Sequence, residues 1–350
     1  MSRKRLIYLL SLILIISVFA LLCGCSMKLS VDDDENESAV TEITESGNNS
    51  KSARNPHAYI FQYMDCDELN TCCSSIKSIL ENENVNVSVT VGRGVDGVST
   101  LTDTAGDLAI NGGADIVITI GSPCAEAVCP LFTTSGRTPV VFCAVTDPVG
   151  LGIVDNMKSP TGNCTGTAAA FSVKERFAMI CASQPGLTKL GVICSASEQN
   201  CESQLDILRK ECERKNIEIV EMTTDIPSEI AAMAKDLMDN SNAVLILQDN
   251  MMLKNSWPVI SQSIGSIVPV YGVTISQIKD GCAAGYCYDF SAMGKTAGEQ
   301  ALKLLHGETV QNVPIVEYKD CTLYYNEKRM TDLYLAFAPD YQKIAKPLTQ

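Results

Sequence analysis

The feature that most constrains this chain is a repeated pairing of a continuous apolar run with an amphipathic helical pattern. Asp115-Ile-Val-Ile-Thr-Ile120 and Thr138–Val145 run almost without polar interruption. Strands covered by helices on both faces read that way. Between them, Ser122-Pro123 reads as a helix N-cap followed by proline at the first helical position. Upstream, His57–Tyr63 is a short β-rich run. Residues 65–82 place Leu69, Cys73, Ile76 and Leu80 on one helical face. Val85–Val91 alternates as a strand, and 99–111 reads as a helix. This βαβαβαβ order leads to a parallel sheet with right-handed crossovers.

The pattern then restarts. Leu190–Cys194 is a strand, and Ser195-x-x-Glu198 has capping-box spacing ahead of a helix carrying Cys201, Leu205, Leu208 and Cys212 on one face. Strands follow at Ile217–Met222, Ala243–Leu247, Val268–Val273, Ala283–Tyr288 and Val313–Tyr318, with helices at 227–239, 256–265 and 291–306. A chain of 350 residues fits two domains at ~150 residues each. The expected fold is α/β, two doubly wound parallel-sheet lobes joined by a hinge. Lobe 1 is expected at 56–166 with 274–310 returning to it, lobe 2 at 167–273 with 311–338, and a C-terminal tail at 339–350.

The first residues address the chain to a membrane. Arg3-Lys4-Arg5 precedes an apolar run from Leu6 to Leu22, and Leu22-Cys23-Gly24-Cys25 resembles a bacterial lipobox. That reading makes 1–24 a lipoprotein signal peptide and Cys25 the lipid attachment site; the competing reading is a plain signal anchor. Residues 25–55 then form a flexible acidic linker, because 26–55 holds no aromatic residue and is rich in Ser, Asn, Asp and Glu. Composition narrows the partners. The net charge is −14, and loss of the leader removes Arg3, Lys4 and Arg5 and no acid. Such a chain has no electrostatic footprint for phosphate backbones, so nucleic acid is not an expected partner. Two histidines argue against a His-rich metal site.

Fourteen cysteines remain after Cys23 and Cys25. No C-x-x-C occurs among them, which removes the main signal for zinc ribbons and thioredoxin-like chemistry. They stand where small apolar residues fit, so free thiols acting as core filler are expected, despite the oxidising compartments that exported proteins usually meet.

In open parallel sheets, ligands bind beyond the carboxyl ends of the strands. The residues in those places are Phe61, Gln62 and Tyr63; Gly121 and Ser122; Thr146 and Asp147; Ser195, Ser197 and Asn200; Gln248, Asp249 and Asn250; and Thr274 and Ser276. Short hydroxyl, amide and carboxylate groups from both lobes suit a small polar ligand. Each is also an ordinary helix-capping residue, and the roles coincide where a helix N-terminus binds an anion.

Ala144-Val-Thr-Asp-Pro-Val-Gly150, followed by Pro160-Thr-Gly-Asn-Cys-Thr-Gly166, resembles the "TDPVGAGLV…PGGNVTG" signature of the ABC-transporter substrate-binding lipoproteins of the tryptophan/tyrosine-uptake type. Ile120-Gly-Ser-Pro123, Cys194-Ser-Ala-Ser-Glu-Gln-Asn200, Gln248-Asp-Asn250 and Gly285-Tyr286 to Gly294 resemble further segments of that family, collinear over roughly residues 56–318. Cys201 replaces a serine, and Val273-Thr274-Ile275 replaces a more acidic segment, which alters the polarity of the cleft. The resemblance implies a type I periplasmic-binding-protein fold. It also implies an extracytoplasmic lipoprotein that captures a solute, an aromatic amino acid first, and delivers it to ABC permease and ATPase subunits. No cofactor, no catalysis and a monomeric state are expected. The expected ligand-binding residues are Phe61, Tyr63, Ser122, Thr146, Asp147, Ser197, Asn200, Asp249, Asn250 and Thr274. Ser122, Thr146 and the helix after Gly121 would take a carboxylate, Asp249 an ammonium, and Phe61 or Tyr63 an apolar side chain.

Two other readings stand beside this one. Gly92-Arg-Gly94-Val-Asp-Gly97 matches G-x-G-x-x-G after a strand, as in nucleotide-dependent enzymes. It follows the second strand, however, and the next suitable acid, Asp115, opens a strand instead of ending one. The third reading is a tethered sensor or adhesion module that binds without transport.

Overall fold

The computed structural model describes residues 54–348 except 137, 171 and 320. The leader, Cys25 and nearly all of the linker lie outside the described residues. Among the described residues no helix is long and apolar enough to cross a membrane.

The first lobe is built from β1 (His57–Gln62), α1 (Asp67–Asn82), β2 (Asn86–Val91), α2 (Val98–Asn111), β3 (Ile116–Ile120), α3 (Ser122–Ser135), β4 (Val140–Val145) and β5 (Cys164–Ala169). The second continues with α4 (Val173–Ser183), β6 (Lys189–Cys194), α5 (Gln199–Lys215), β7 (Glu218–Thr223), α6 (Ile230–Asn240), β8 (Ala243–Ile246), α7 (Asn250–Asn255), α8 (Trp257–Ser263), β9 (Val270–Tyr271), α9 (Ile275–Asp280) and β10 (Ala284–Cys287). The chain then returns to the first lobe with α10 (Phe290–Leu305) and β11 (Val316–Tyr318). It ends in the second with β12 (Thr322–Asn326), α11 (Glu327–Asp332), α12 (Pro339–Gln342) and β13 (Lys346–Leu348).

The two sheets have the orders β11-β5-β4-β3-β1-β2 and β13-β12-β10-β9-β8-β6-β7. Neighbours pair in parallel except β10 with β12. The central strands are fully buried: every residue of β3, β5 and β8 is sealed by helices on both faces, which is why these runs show no alternation. The edge strands β2 and β7 are half-exposed along their length, with no fully buried residue. In α1, Leu69, Cys73, Ile76 and Leu80 are buried on the face the spacing indicated, and Asp67 and Glu68 suit the positive end of the helix dipole. Helix α10 returns across α1 at close range. A Cβ on Gly294 would stand 2.5 Å from the Cys72 carbonyl oxygen, and one on Gly298 would stand 2.9 Å from the Ile79 Cβ.

The lobes divide differently from the expected boundaries. Helix α9 and β10, expected in the first lobe, belong with the second sheet, because β10 pairs with β9 and β12. Strand β11, expected in the second lobe, lies beside β5 at the edge of the first, where the Thr165 hydroxyl donates to the Val313 carbonyl at 2.6 Å. The expected separate tail is instead the edge of the second sheet, β13 pairing with β12.

Candidate functional site

The carboxyl ends of β3 and β4 bring the first wall together. Gly121 takes φ +94° and occupies the cap position of α3, so Ser122 is the first helical residue and not the cap that was expected. Its hydroxyl is thereby free to accept the Thr146 backbone N–H at 3.1 Å and to lie 3.2 Å from the Thr146 hydroxyl. Asp147 turns the chain behind them, accepting the Gly150 N–H at 2.8 Å. Tyr63 lies just past β1, its backbone N–H held by the Ile120 carbonyl. Burial pushes its phenol upward, followed by Glu198, Asp225 and Asp249, all in the other lobe.

The opposite wall comes from the segment between β6 and α5. Ser195 does not cap the helix, which begins at Gln199 with Glu198 in the cap position. Instead the Ser195 hydroxyl donates to Asp225 at 2.6 Å, and the same carboxylate oxygen accepts the N–H groups of Ala196 and Ser197. Glu198 reaches across to the start of α7, accepting from the N–H groups of Asn250 and Met251 and from the Asn250 side chain. Asp249 caps α7 through the Met252 N–H at 2.8 Å, while its other oxygen is buried without a hydrogen-bond partner among the described residues. Burial raises the Asp249 carboxyl well above the usual carboxylate range, and Glu198 beside it adds to the rise. Glu198 is raised as well, first by burial.

Between the walls lies a cleft of about 300 Å³. That is the lower end of the ~300–1,000 Å³ typical of small-molecule sites. Tyr63, Ser122, Thr146, Asp147, Ser197 and Asn200 line it, with apolar surface from Val95, Val98, Pro123 and Leu151. Glu126 and Glu198 line it too. Neither was expected as a ligand contact. Glu126 sits one helical turn after Ser122 on the same face, a signal available from spacing, whereas Glu198 read as a capping residue. Among the described residues no lysine, arginine or histidine lines the cleft. An inner extension of about 20 Å³, roughly the room of one water or one ligand oxygen, shares Ser122, Thr146 and Asn200 and adds Gln248, Asp249 and Asn250.

Two expected residues fall elsewhere. Phe61 has no exposure and stacks on Tyr59 with centroids 4.8 Å apart, because as the penultimate residue of β1 it points into the core. Thr274 caps α9 and lines a separate cavity of about 690 Å³ with Glu68 and Ser276. The glycine-rich loop 92–97 lines the turn into α2. Asp115 holds the His57 N–H and Arg54 at the opposite, amino-terminal end of the sheet, out of reach of any ribose at that loop.

This geometry has relatives. A tyrosine-binding protein of Clostridioides difficile (strain R20291) is 27% identical over 232 residues, covering 66% of this chain and 64% of that protein. The match therefore spans less than two thirds of that relative's length. The ABC domain in complex with L-Trp from Streptococcus pneumonia superposes with a TM-score of 0.77 at 21% identity, over 85% of this chain and all of that one. The ligand-free, open structure of a substrate-binding protein with adhesive properties from Clostridium difficile gives 0.64 at 21% identity, over 84% and 99%. Likenesses at these identities establish the type I periplasmic-binding-protein fold. The family of ABC transporter substrate-binding proteins matches over residues 74–346. The chain belongs to that family, and it is a solute-binding protein and not an enzyme.

Proposed function

We propose that this protein is the extracytoplasmic, lipid-anchored receptor of an ABC importer and that its solute is an amino acid, aromatic ones first. The observation that carries this reading is the charge pattern of the cleft. Among the described residues three carboxylates, Glu126, Asp147 and Glu198, face it and no basic side chain does. They suit an ammonium. The α3 N-terminus with the Ser122 and Thr146 hydroxyls suits a carboxylate through neutral donors and the helix dipole. Tyr63 with Val95, Val98 and Leu151 offers the apolar surface for a side chain. Asp249 and Asn250 stand behind Glu198, so Asp249 acts through that residue and through the inner extension of the cleft. A relative that binds tyrosine and a fold neighbour holding L-Trp support the same ligand class.

In this reading the solute bridges the walls and draws the lobes together, and the closed form docks on the permease whose ATPase drives uptake. The leader 1–24, Cys25 and the linker 25–55 tether a monomer to the outer face of the membrane.

A thermal-shift panel of the twenty amino acids, nucleosides and sugars tests the reading. A ligand at 100 times its dissociation constant adds ~2.7 kcal/mol, a shift of several degrees. Shifts confined to tryptophan, tyrosine or phenylalanine are expected, and they should be lost in Ser122→Ala and Glu198→Gln. Shifts by sugars or nucleosides alone would refute it.

A further inference from the structure

Arg176, one turn into α4, is among the largest side chains with no exposure at all. Its Nη2 donates to the Gln248 Oε1 at 2.8 Å and to the Tyr286 carbonyl at 3.2 Å. Its Nε and Nη1 have no partner among the described residues. No described carboxylate pairs with it, and the nearest compensation is the face of Tyr288, 6.0 Å from Cζ. A buried charge without a counter-charge is costly, and a guanidinium does not escape the cost by losing its proton.

What this cation does to Gln248 follows from hydrogen-bond chemistry. A guanidinium only donates, so the Gln248 amide must turn its oxygen toward Arg176. The Gln248 backbone is fixed as well: its carbonyl accepts from Asn200 and Gln204, and its N–H donates to Gln204. The amide nitrogen Nε2 is left with two donors and no acceptor among the described residues. Gln248 lines the inner end of the cleft, beside Ser122, Thr146 and Asn200. That end therefore presents the Gln248 amide donors with a positive charge behind them, beside Asp249, whose carboxyl burial raises well above the usual carboxylate range and so favours its neutral form, while the outer end presents Glu126, Asp147 and Glu198.

We propose that Arg176 is a positioning residue that makes Gln248 a reader of carboxylate. The solute then carries a carboxylate seated at the inner end of the cleft and a cationic group directed outward. This deepens the amino-acid reading above and rests on the cleft being the solute site. A merely structural arginine would affect every ligand alike.

The test is calorimetric titration of the full protein with L-tyrosine and L-tryptophan, and with tyramine and tryptamine, which differ by the carboxylate. Wild type should prefer each acid over its amine by about tenfold or more, the range of a charge-assisted bond. Arg176→Met should reduce that preference to about threefold or less with little change in Tm, because relief of an uncompensated buried charge is offset by the Gln248 Oε1 and Tyr286 carbonyl acceptors it leaves without a donor. Arg176→Lys should retain part of the preference. Should Arg176→Met not fold, Gln248→Glu removes the amide donors while giving Arg176 a partner, and it should lose the preference as well. An undiminished preference in either variant overturns the proposal, as does equal loss of acid and amine at unchanged Tm. If wild type binds none of the four, the amino-acid reading fails, and acetate against acetamide tests Arg176 separately. A Tm gain specific to acetate that disappears in Arg176→Met upholds it; equal gains from both probes reject it.

Discussion

Ser276 on α9 donates a 2.5 Å hydrogen bond to Glu68 Oε1 on α1, joining two lobes through residues 208 positions apart. Glu68 is 7% exposed and Ser276 half-buried, so the bond is partly shielded from water. It lies beside the cavity of about 690 Å³ and away from the solute cleft, and so it bears on closure without touching the solute. A hydrogen bond to a charged group is worth ~1.5–3 kcal/mol. Ser276→Ala should therefore open the lobes, raising the radius of gyration of the solute-free protein in X-ray scattering and weakening solute binding by about tenfold. An unchanged radius and affinity would show that this bond does not hold the lobes.

The acid pair at the second wall predicts an unusual pH dependence. Burial, and then Glu198, raises the Asp249 carboxyl in the folded state. A carboxyl raised above its unfolded value of ~4 holds a proton that the unfolded chain has released. The native state binds more protons in that window, so stability falls as pH rises from about 4 toward the raised value, opposite in sign to a salt-bridged aspartate. Asp249→Asn keeps the helix cap and removes the ionisation. Melting curves from pH 4 to 8 should show wild type losing stability relative to this variant as pH rises; parallel curves would contradict the assignment. Affinity for a solute whose carboxylate sits at the inner end should fall with pH over the same window, as Asp249 gains its charge there.

Much of this architecture is legible in the sequence where one physical signal dominates. The unbroken Ile116–Ile120 run and the one-sided face of α1 each have a single satisfactory burial. The rule that sites gather beyond strand ends brings Ser122, Thr146, Ser197 and Asn200 to the walls of one cleft. It fails where a residue's side of the sheet matters. Phe61 lies within β1 and faces the core, and Thr274 follows β9 on the side of a different cavity. Strand β5, Cys-Thr-Gly-Thr-Ala-Ala, has two threonines but no Val, Ile or aromatic residue, and Gly and Ala are depleted in strands, so it does not read as a strand. The placement of β11 beside β5 comes from the returning α10, a long-range packing choice with no local signature. Arg176 is hidden for the same reason: a basic residue in a helix reads as solvated unless its neighbours in space are known.

The cysteines give a count. The fourteen from Cys66 to Cys321 are all free, and only Cys181 and Cys321 have more than marginal exposure. Burial raises most of these thiols, with Cys66 and Cys212 both pushed up to about 12, so little thiolate exists at neutral pH. Under native conditions a thiol reagent should label those two partly exposed positions first and slowly. After denaturation without reductant it should reach all fourteen, in addition to any thiol outside the described residues. A shortfall of two or more would reveal disulfides and overturn the reading of these residues as core filler.

The final prediction concerns the glycine of the Asn163-Cys-Thr-Gly166 motif. Gly166 sits in β5 at φ +156°, paired with Phe142 in a β4 whose register shifts before Val145. A Cβ there would stand 1.9 Å from the Phe142 carbonyl oxygen, a backbone atom that cannot swing aside as a side chain would. Relief requires β4 and β5 to part, and β4 leads directly into Thr146. Gly166→Ala should therefore cost about 3 kcal/mol or more and should also weaken solute binding. Gly136 is the control: it adopts φ +62° at the end of α3, with nothing within 4 Å of the added Cβ. Gly136→Ala should cost only the left-handed backbone penalty, ~1–2 kcal/mol, and should leave binding intact. Denaturant unfolding and solute titration of both variants separate the two causes. Equal costs would mean that backbone conformation, and not the β4–β5 contact, requires glycine at position 166.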